Sequence, residues 1–174
     1  MEILWAIGLG SGLAAASSFR AIFPLVLVSF TKVVDFPPAL EWLTTTPALL
    51  VFLILLVGEF LIDELPGVGF FHSSAYSGVK VLIGGVLFAS AVNMNPWIGI
   101  FLGGILTGFF VLARFTYQPL LQKAQPYFRN LSYDKIENIA SVVLAIIAIA
   151  SPGISLLTIL GMIFIAVRTG QRVG

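Results

Sequence analysis

The stretch "AAASSFRAIFPLVL" (Ala14–Leu27) sets one arginine inside an apolar run, with two serines just before it and a proline four residues after it. The run extends both ways, from about Ile3 to Lys32. A straight helix of that length would measure about 45 Å, against ~30 Å for the hydrocarbon core of a bilayer. Pro24 cannot donate to the carbonyl of Arg20, and its ring crowds the preceding turn. A kink or break near Ser17 to Arg20 is therefore expected. The permanent charge placed there needs a reason of its own.

The whole chain shares this apolar character. Of its 174 residues, 59% are hydrophobic and 10% charged, and the mean hydropathy is +1.06. A soluble domain carries about 25% charged residues, so this chain lacks the polar groups to cover a soluble surface. The composition implies an integral membrane protein. A net charge of +1 provides no basic patch for nucleic acid. The absence of cysteine excludes disulfides, thiolate nucleophiles and cysteine metal sites. The single histidine, His72, reads as interfacial beside Phe70 and Phe71. No cofactor is implied. The opening "MEILWAIGLG" has an acidic Glu2 and no positive charge, which reads as a first mature span and not a cleaved leader.

Along the chain, the pattern predicts an all-α, polytopic bundle of about six spans forming one domain over residues 1–174. The first segment is the broken run. "DFPPALEWLTTTP" (Asp35–Pro47) is a loop in which Thr46 and Pro47 read as helix cap and first residue. Segment two, Ala48 to about Ile62, is stopped by Pro66-Gly67. "VGFFHSSAYSG" (Val68–Gly78) reads as an interfacial loop. Segment three covers about Val79–Val92 and is short. Asn95-Pro96 repeats the cap-then-proline signal before segment four, Trp97 to about Tyr117. A long basic loop leads to segment five, about Ile136–Ala150, also short. "SPG" (Ser151–Gly153) turns the chain into segment six, Ile154 to about Val167.

Basic residues test the topology. Lys80, Lys123, Arg129, Lys135, Arg168 and Arg172 fall on one side of such a bundle and Lys32 on the other. The positive-inside rule then puts both termini in the cytoplasm, at a bacterial inner membrane or its equivalent. The basic residues would meet anionic headgroups of membrane lipids.

Segments one and four resemble each other. Gly10 precedes Arg20 by ten residues, as Gly104 precedes Arg114, and a proline follows each arginine (Pro24, Pro119). Halves of three spans, 1–93 and 94–174, would form an inverted repeat of the kind found in secondary transporters. The stripes Gly8/Gly12/Ala16 and Gly104/Gly108 let helices approach closely, within the chain or between two copies as a homodimer.

Buried charges demand partners, because an unpaired arginine at the bilayer centre costs roughly 2.5–3.5 kcal/mol. Glu59 and Asp63 are four apart on one helical face and are the candidate partners for Arg20 and Arg114, with an Arg114 to Glu59/Asp63 pair geometrically reasonable. Ser17 or Ser18 could cap a half-helix whose N–H groups, beside Arg20, attract an anion. The commoner arrangement has the serines bonding back to their own helix. "SYDKIEN" resembles a capping box with Asp134 and Glu137, and Glu137 and Asn138 could also face the bundle. The candidate solute pathway therefore comprises Arg20, Ser17, Ser18, Glu59, Asp63, Arg114, Glu137 and Asn138.

Three stretches, "SGLAAASSFRAIFPLVLVSF", "GEFLIDELPGV" and "ENIASVVLAIIAIASP", resemble a bacterial and plastid membrane-protein family known as domain of unknown function 4126. The first resembles the family's "SGLAAASGFR…PLL" opening. The second resembles its "E-x-x-A-D-x-I-P-G-V-D" segment at Glu59, Asp63, Pro66 and Gly67. The third resembles its "AENI" segment at Glu137 and Asn138. Gly69 stands where that family tends to carry an acidic residue, which argues against a metal site there. The resemblance implies a polytopic membrane protein and no particular activity.

Two functions follow. One is a small transporter or channel for an anion or polar solute. The other is a non-transporting scaffold or assembly subunit whose buried charges are structural ion pairs. An enzyme is not expected: H-E-x-x-H, G-x-S-x-G and cysteine are all missing.

Overall fold

A computed structural model describes residues 2–32, 38–64, 69–124 and 133–173, with side-chain detail for 2–32, 41–59, 61, 76–113 and 135–168. The described residues are all-α: α1 (Glu2–Phe19), α2 (Ile22–Thr31), a 3-10 turn (Pro38–Thr44), α3 (Thr46–Glu64), α4 (Gly69–Val92), α5 (Pro96–Ala124), α6 (Tyr133–Ala150) and α7 (Pro152–Val173). Two stretches, Glu2–Phe19 and Pro96–Ala113, are long and apolar enough to cross a membrane, and shorter apolar runs occur in four other helices.

The turn chemistry explains several boundaries. Asn95 Oδ1 accepts the Trp97 N–H at 3.1 Å, so Asn95 caps α5 and Pro96 opens it, where a missing N–H costs nothing. Pro152 likewise opens α7 after Ser151, whose carbonyl accepts the first helical bond, from the Ser155 N–H at 3.0 Å. At α3 the cap is one residue earlier than expected. Thr45 Oγ1 accepts the Ala48 N–H at 3.4 Å, which moves Thr46 into the first turn. Lys32 ends α2 in the left-handed region, φ 51°, with its N–H on the Val28 carbonyl.

At the centre lies α1. Every residue from Gly8 to Ser18 is buried, against α4, α5, α6 and α7. Small side chains permit this. A Cβ on Gly12 would stand 2.2 Å from Ser155 Oγ and 2.4 Å from Ala148 Cβ, and one on Gly8 would meet the Pro152 carbonyl. Gly104 and Gly108 face Val81 of α4. Both small-residue stripes thus pack helices within the chain. Of the two uses open to the Gly8/Gly12/Ala16 stripe, within the chain or between copies, the structure shows the first, with Gly8 and Gly12 against α6 and α7.

These contacts fix directions. Gly8 meets Pro152 and Gly12 meets Ser155, so α1 and α7 run parallel. Gly10 meets Phe88 and Ala91 while Phe19 meets Lys80, so α4 runs against α1. The two ends of the chain therefore lie at opposite ends of the bundle, which corrects the expectation of both termini on one side. The cause is at the first break. Ser29 of α2 bonds the Leu43 carbonyl just before α3, and Arg20 before α2 meets Glu59 late in α3, so α2 and α3 are antiparallel. Gly69 begins α4 eleven residues, about 16 Å, before Lys80. A linker of four residues from Glu64 reaches that point only if α3 runs with α1. The chain then reverses at Arg20–Ala21, and α2 returns alongside. Segment one is a descent and a partial return.

Other expectations shift as well. Val68–Gly78 is helical from Gly69 onward, making segment three the 24-residue α4. Helix α5 continues through Arg114 and Pro119 to Ala124. It shows no break to match the one after Arg20.

Candidate functional site

The break begins with Pro24, the third residue of α2, where the first turn of a helix tolerates a residue without an N–H. The Arg20 N–H still closes on the Ala16 carbonyl at 3.1 Å. Helix α1 then ends, and its last carbonyls turn outward to other donors. Lys80 Nζ of α4 donates to the Phe19 carbonyl at 2.8 Å, placing a cation at the negative end of the α1 dipole. Ser141 Oγ of α6 donates to the Ala16 carbonyl at 3.1 Å. The Thr107 hydroxyl of α5 lies 2.8 Å from its own Gly103 carbonyl and 3.1 Å from that of Ala14. Two neighbouring helices, α4 and α6, thus supply donors near this helix end.

The Arg20 side chain is held beside this end and is 6% exposed. Its Nε–H donates to Asn138 Oδ1 of α6. Its Nη1 stands 3.6 Å from Glu59 Oε1 of α3, a separation longer than the 2.7–2.9 Å of a hydrogen-bonded guanidinium–carboxylate pair. Glu59, Lys80 and Glu137 are buried too, and Lys80 Nζ also lies 5.9 Å from the centre of the Tyr76 ring. Among the described residues, two cations and two carboxylates are therefore buried in the elements around the break, and the formal charges of these four cancel.

Position along the bundle matters. The eighteen residues of α1 span about 27 Å, so Arg20 sits at the end of a helix that alone matches the bilayer core. Glu137 is only four residues into α6. The polar cluster lies toward one end of the bundle.

Over residues 7–172 the chain matches the family model described as domain of unknown function (DUF4126). The chain belongs to that family. No curated protein and no solved structure matches it. In this DUF4126 chain, the family-like stretches come together in space: Arg20 of the first, Glu59 of the second and Asn138 of the third form one contact set.

Of the expected pathway residues, Arg20, Glu59, Glu137 and Asn138 gather at the break. Ser17 and Ser18 do not cap α2. Ser17 Oγ donates to the Leu13 carbonyl at 2.9 Å and Ser18 Oγ to the Ala15 carbonyl at 2.6 Å, while Ala21, which precedes α2, is helical and gives no side-chain cap. A serine inside a helix satisfies its hydroxyl on its own previous turn, and these two do so before the break begins. Glu59 pairs with Arg20; the alternative pairing with Arg114 involves a side chain outside the described residues, as are those of Asp63, His72 and Asp134. With α6 starting at Tyr133, Glu137 lies within the helix, buried, and outside the capping-box position expected for it.

Lys80 is the site residue that sequence reasoning missed. Starting segment three at Val79 made it a loop lysine. The signal was its setting, "GVKVLIGG" (Gly78–Gly85): one ammonium with apolar neighbours on both sides, four residues after Tyr76.

Proposed function

We propose that this protein is a polytopic integral membrane protein that passes a small anion or polar solute through the Arg20 cluster, in the manner of a small transporter or channel. Its outer surface supports the membrane setting. Large apolar side chains stand exposed on every peripheral helix, among them Ile54 and Leu61 of α3, Phe101 and Leu112 of α5, and Leu157 and Phe164 of α7. Such a surface is stable against lipid and would aggregate in water. The basic residues of the chain cluster toward the end at which α5 and α7 finish, so that end is cytoplasmic by the positive-inside rule, and the N-terminus lies on the other side. Single cysteines introduced at residues 3 and 172 of this cysteine-free chain should react from opposite faces of sealed vesicles.

The observation that carries the transport reading is Arg20 itself. It is a buried guanidinium at the interruption of the central helix, anchored through Nε by Asn138 and facing Glu59 across 3.6 Å. A guanidinium has five donors. An incoming anion can take the Nη face from Glu59 while Asn138 keeps the side chain oriented. The neutral balance of the cluster lets Glu59 return when the solute leaves. A 3+3 inverted repeat is not needed for this, and α5, unbroken at Arg114, offers no second site of the same design.

The scaffold reading draws support from Lys80 and Ser141, which donate to backbone carbonyls of α1. Flux decides between them. Liposomes holding the purified protein should pass small anions such as nitrate or acetate faster than protein-free liposomes, and Arg20→Ala should abolish the difference. Equal flux with and without the substitution, or none above background, leaves the scaffold.

A further inference from the structure

A cleft of about 300 Å³ lies between α5 and α7, away from the Arg20 cluster, lined by Phe109, Leu112, Ala113, Ala166 and Val167. Its floor is made of two alanines, each 8% exposed, and its rim of Leu112 and Val167, 67% and 49% exposed. Among the described residues its lining is apolar, and such walls offer a hydrated solute little to replace lost water. A hydrocarbon chain fits such walls. Charge supplies the second half of the argument. Neither α5 nor α7 contains an acidic residue, and their charged residues are Arg114, Lys123, Arg168 and Arg172. All four come at or after the cleft in sequence. Arg168 directly follows Val167 of the rim and is exposed; Arg114 directly follows Ala113 of the floor.

We propose that this cleft binds one anionic phospholipid, an acyl chain lying over Ala113 and Ala166 and the phosphate meeting Arg168. The site rests on the membrane reading above, because its mouth opens on the surface assigned to lipid, but it does not depend on transport. An exposed guanidinium favours a net negative headgroup over a zwitterionic one, by about fivefold per basic residue near the membrane surface.

The test is native mass spectrometry of the detergent-purified full chain incubated with equal phosphatidylglycerol and phosphatidylcholine. The wild-type chain should retain one phosphatidylglycerol in preference to phosphatidylcholine. Arg168→Gln, an exposed change that disturbs no packing, should cut that preference about fivefold. Ala166→Trp, which fills the cleft, should lower retention of both lipids at an unchanged melting temperature. Equal retention of the two lipids by the wild-type chain overturns the proposal, and so does undiminished phosphatidylglycerol on both variants. The membrane reading fails separately, if alkaline carbonate strips the chain from membranes.

Discussion

Where α4 meets α5, the backbones touch through Gly84, Gly85 and Gly103; where α1 gives way to α2, Arg20 reaches Asn138 of α6 and Glu59 of α3. At the first seam a Cβ on Gly85 would fall 2.6 Å from the Ile100 carbonyl, and one on Gly103 would fall 2.9 Å from the Gly85 Cα. Nothing there is charged, and shape alone fixes the register. At the second, the helix is interrupted, its carbonyls need donors, and long polar side chains span the gap. Close packing specifies a contact by excluding every alternative with an extra atom. A buried ion pair specifies one by making each partner costly without the other. The seam should therefore be sensitive to added volume, and the break to lost charge.

The largest effect should come from removing one charge of the pair. Glu59→Ala removes the carboxylate that the buried Arg20 guanidinium faces at 3.6 Å. Breaking a buried pair in this way costs about 3–5 kcal/mol, enough to remove most of the stability of a small domain. The melting temperature in detergent should collapse. The double substitution Arg20→Met with Glu59→Met should recover a large part of it, since two apolar residues leave no charge uncompensated. A double variant as unstable as Glu59→Ala would show that the pair is not what joins α3 to the break.

At the seams the sensitive change is one methyl group. Gly12→Ala puts a Cβ against Ser155 and Ala148, and overpacking of this kind costs about 1–3 kcal/mol. Gly161 of α7, whose added Cβ would meet nothing within 4 Å, is the control. Gly161→Ala should stabilise by up to about 1 kcal/mol through helix propensity. Opposite signs in thermal unfolding would sharpen the contrast between the central and outer faces of the helices. Equal tolerance at both positions would break it.

How much of this could be read from the residues differs between the two regions. The seams were legible as glycine stripes, and the helix starts at α5 and α7 as cap-then-proline pairs, because both signals are local. The break was legible too, because Pro24 cannot donate to the Arg20 carbonyl and crowds that turn. Its direction was not. Whether a chain kinks or reverses depends on what meets the broken helix end, and the groups that do so are Lys80 on the Phe19 carbonyl, 61 residues away, and Asn138 and Glu59 around Arg20. The reversal in turn separated the two termini, a consequence no count of basic residues could supply. Likewise the facing of Glu59 and Arg20 comes from tertiary placement, since 39 residues separate them in sequence.

Lys80 should give the smallest effect of the three, because two consequences of its loss oppose each other. Lys80→Met removes a hydrogen bond from a charged donor, worth about 1.5–3 kcal/mol, and leaves the Phe19 carbonyl at the end of α1 without that partner. It also relieves the cost of holding an ammonium in a site that is 5% exposed, and methionine fills much of the same space. A net loss of about 1 kcal/mol is expected in thermal unfolding. The more telling readout is the coupling to Glu59. With Lys80 gone the enclosed charges no longer cancel, so Glu59→Gln should cost less in the Lys80→Met background than in the wild type. A double-mutant cycle with no coupling would mean that Lys80 serves the α1 terminus alone, and that the charge cluster at the break is Arg20 and its own contacts rather than a balanced set of four.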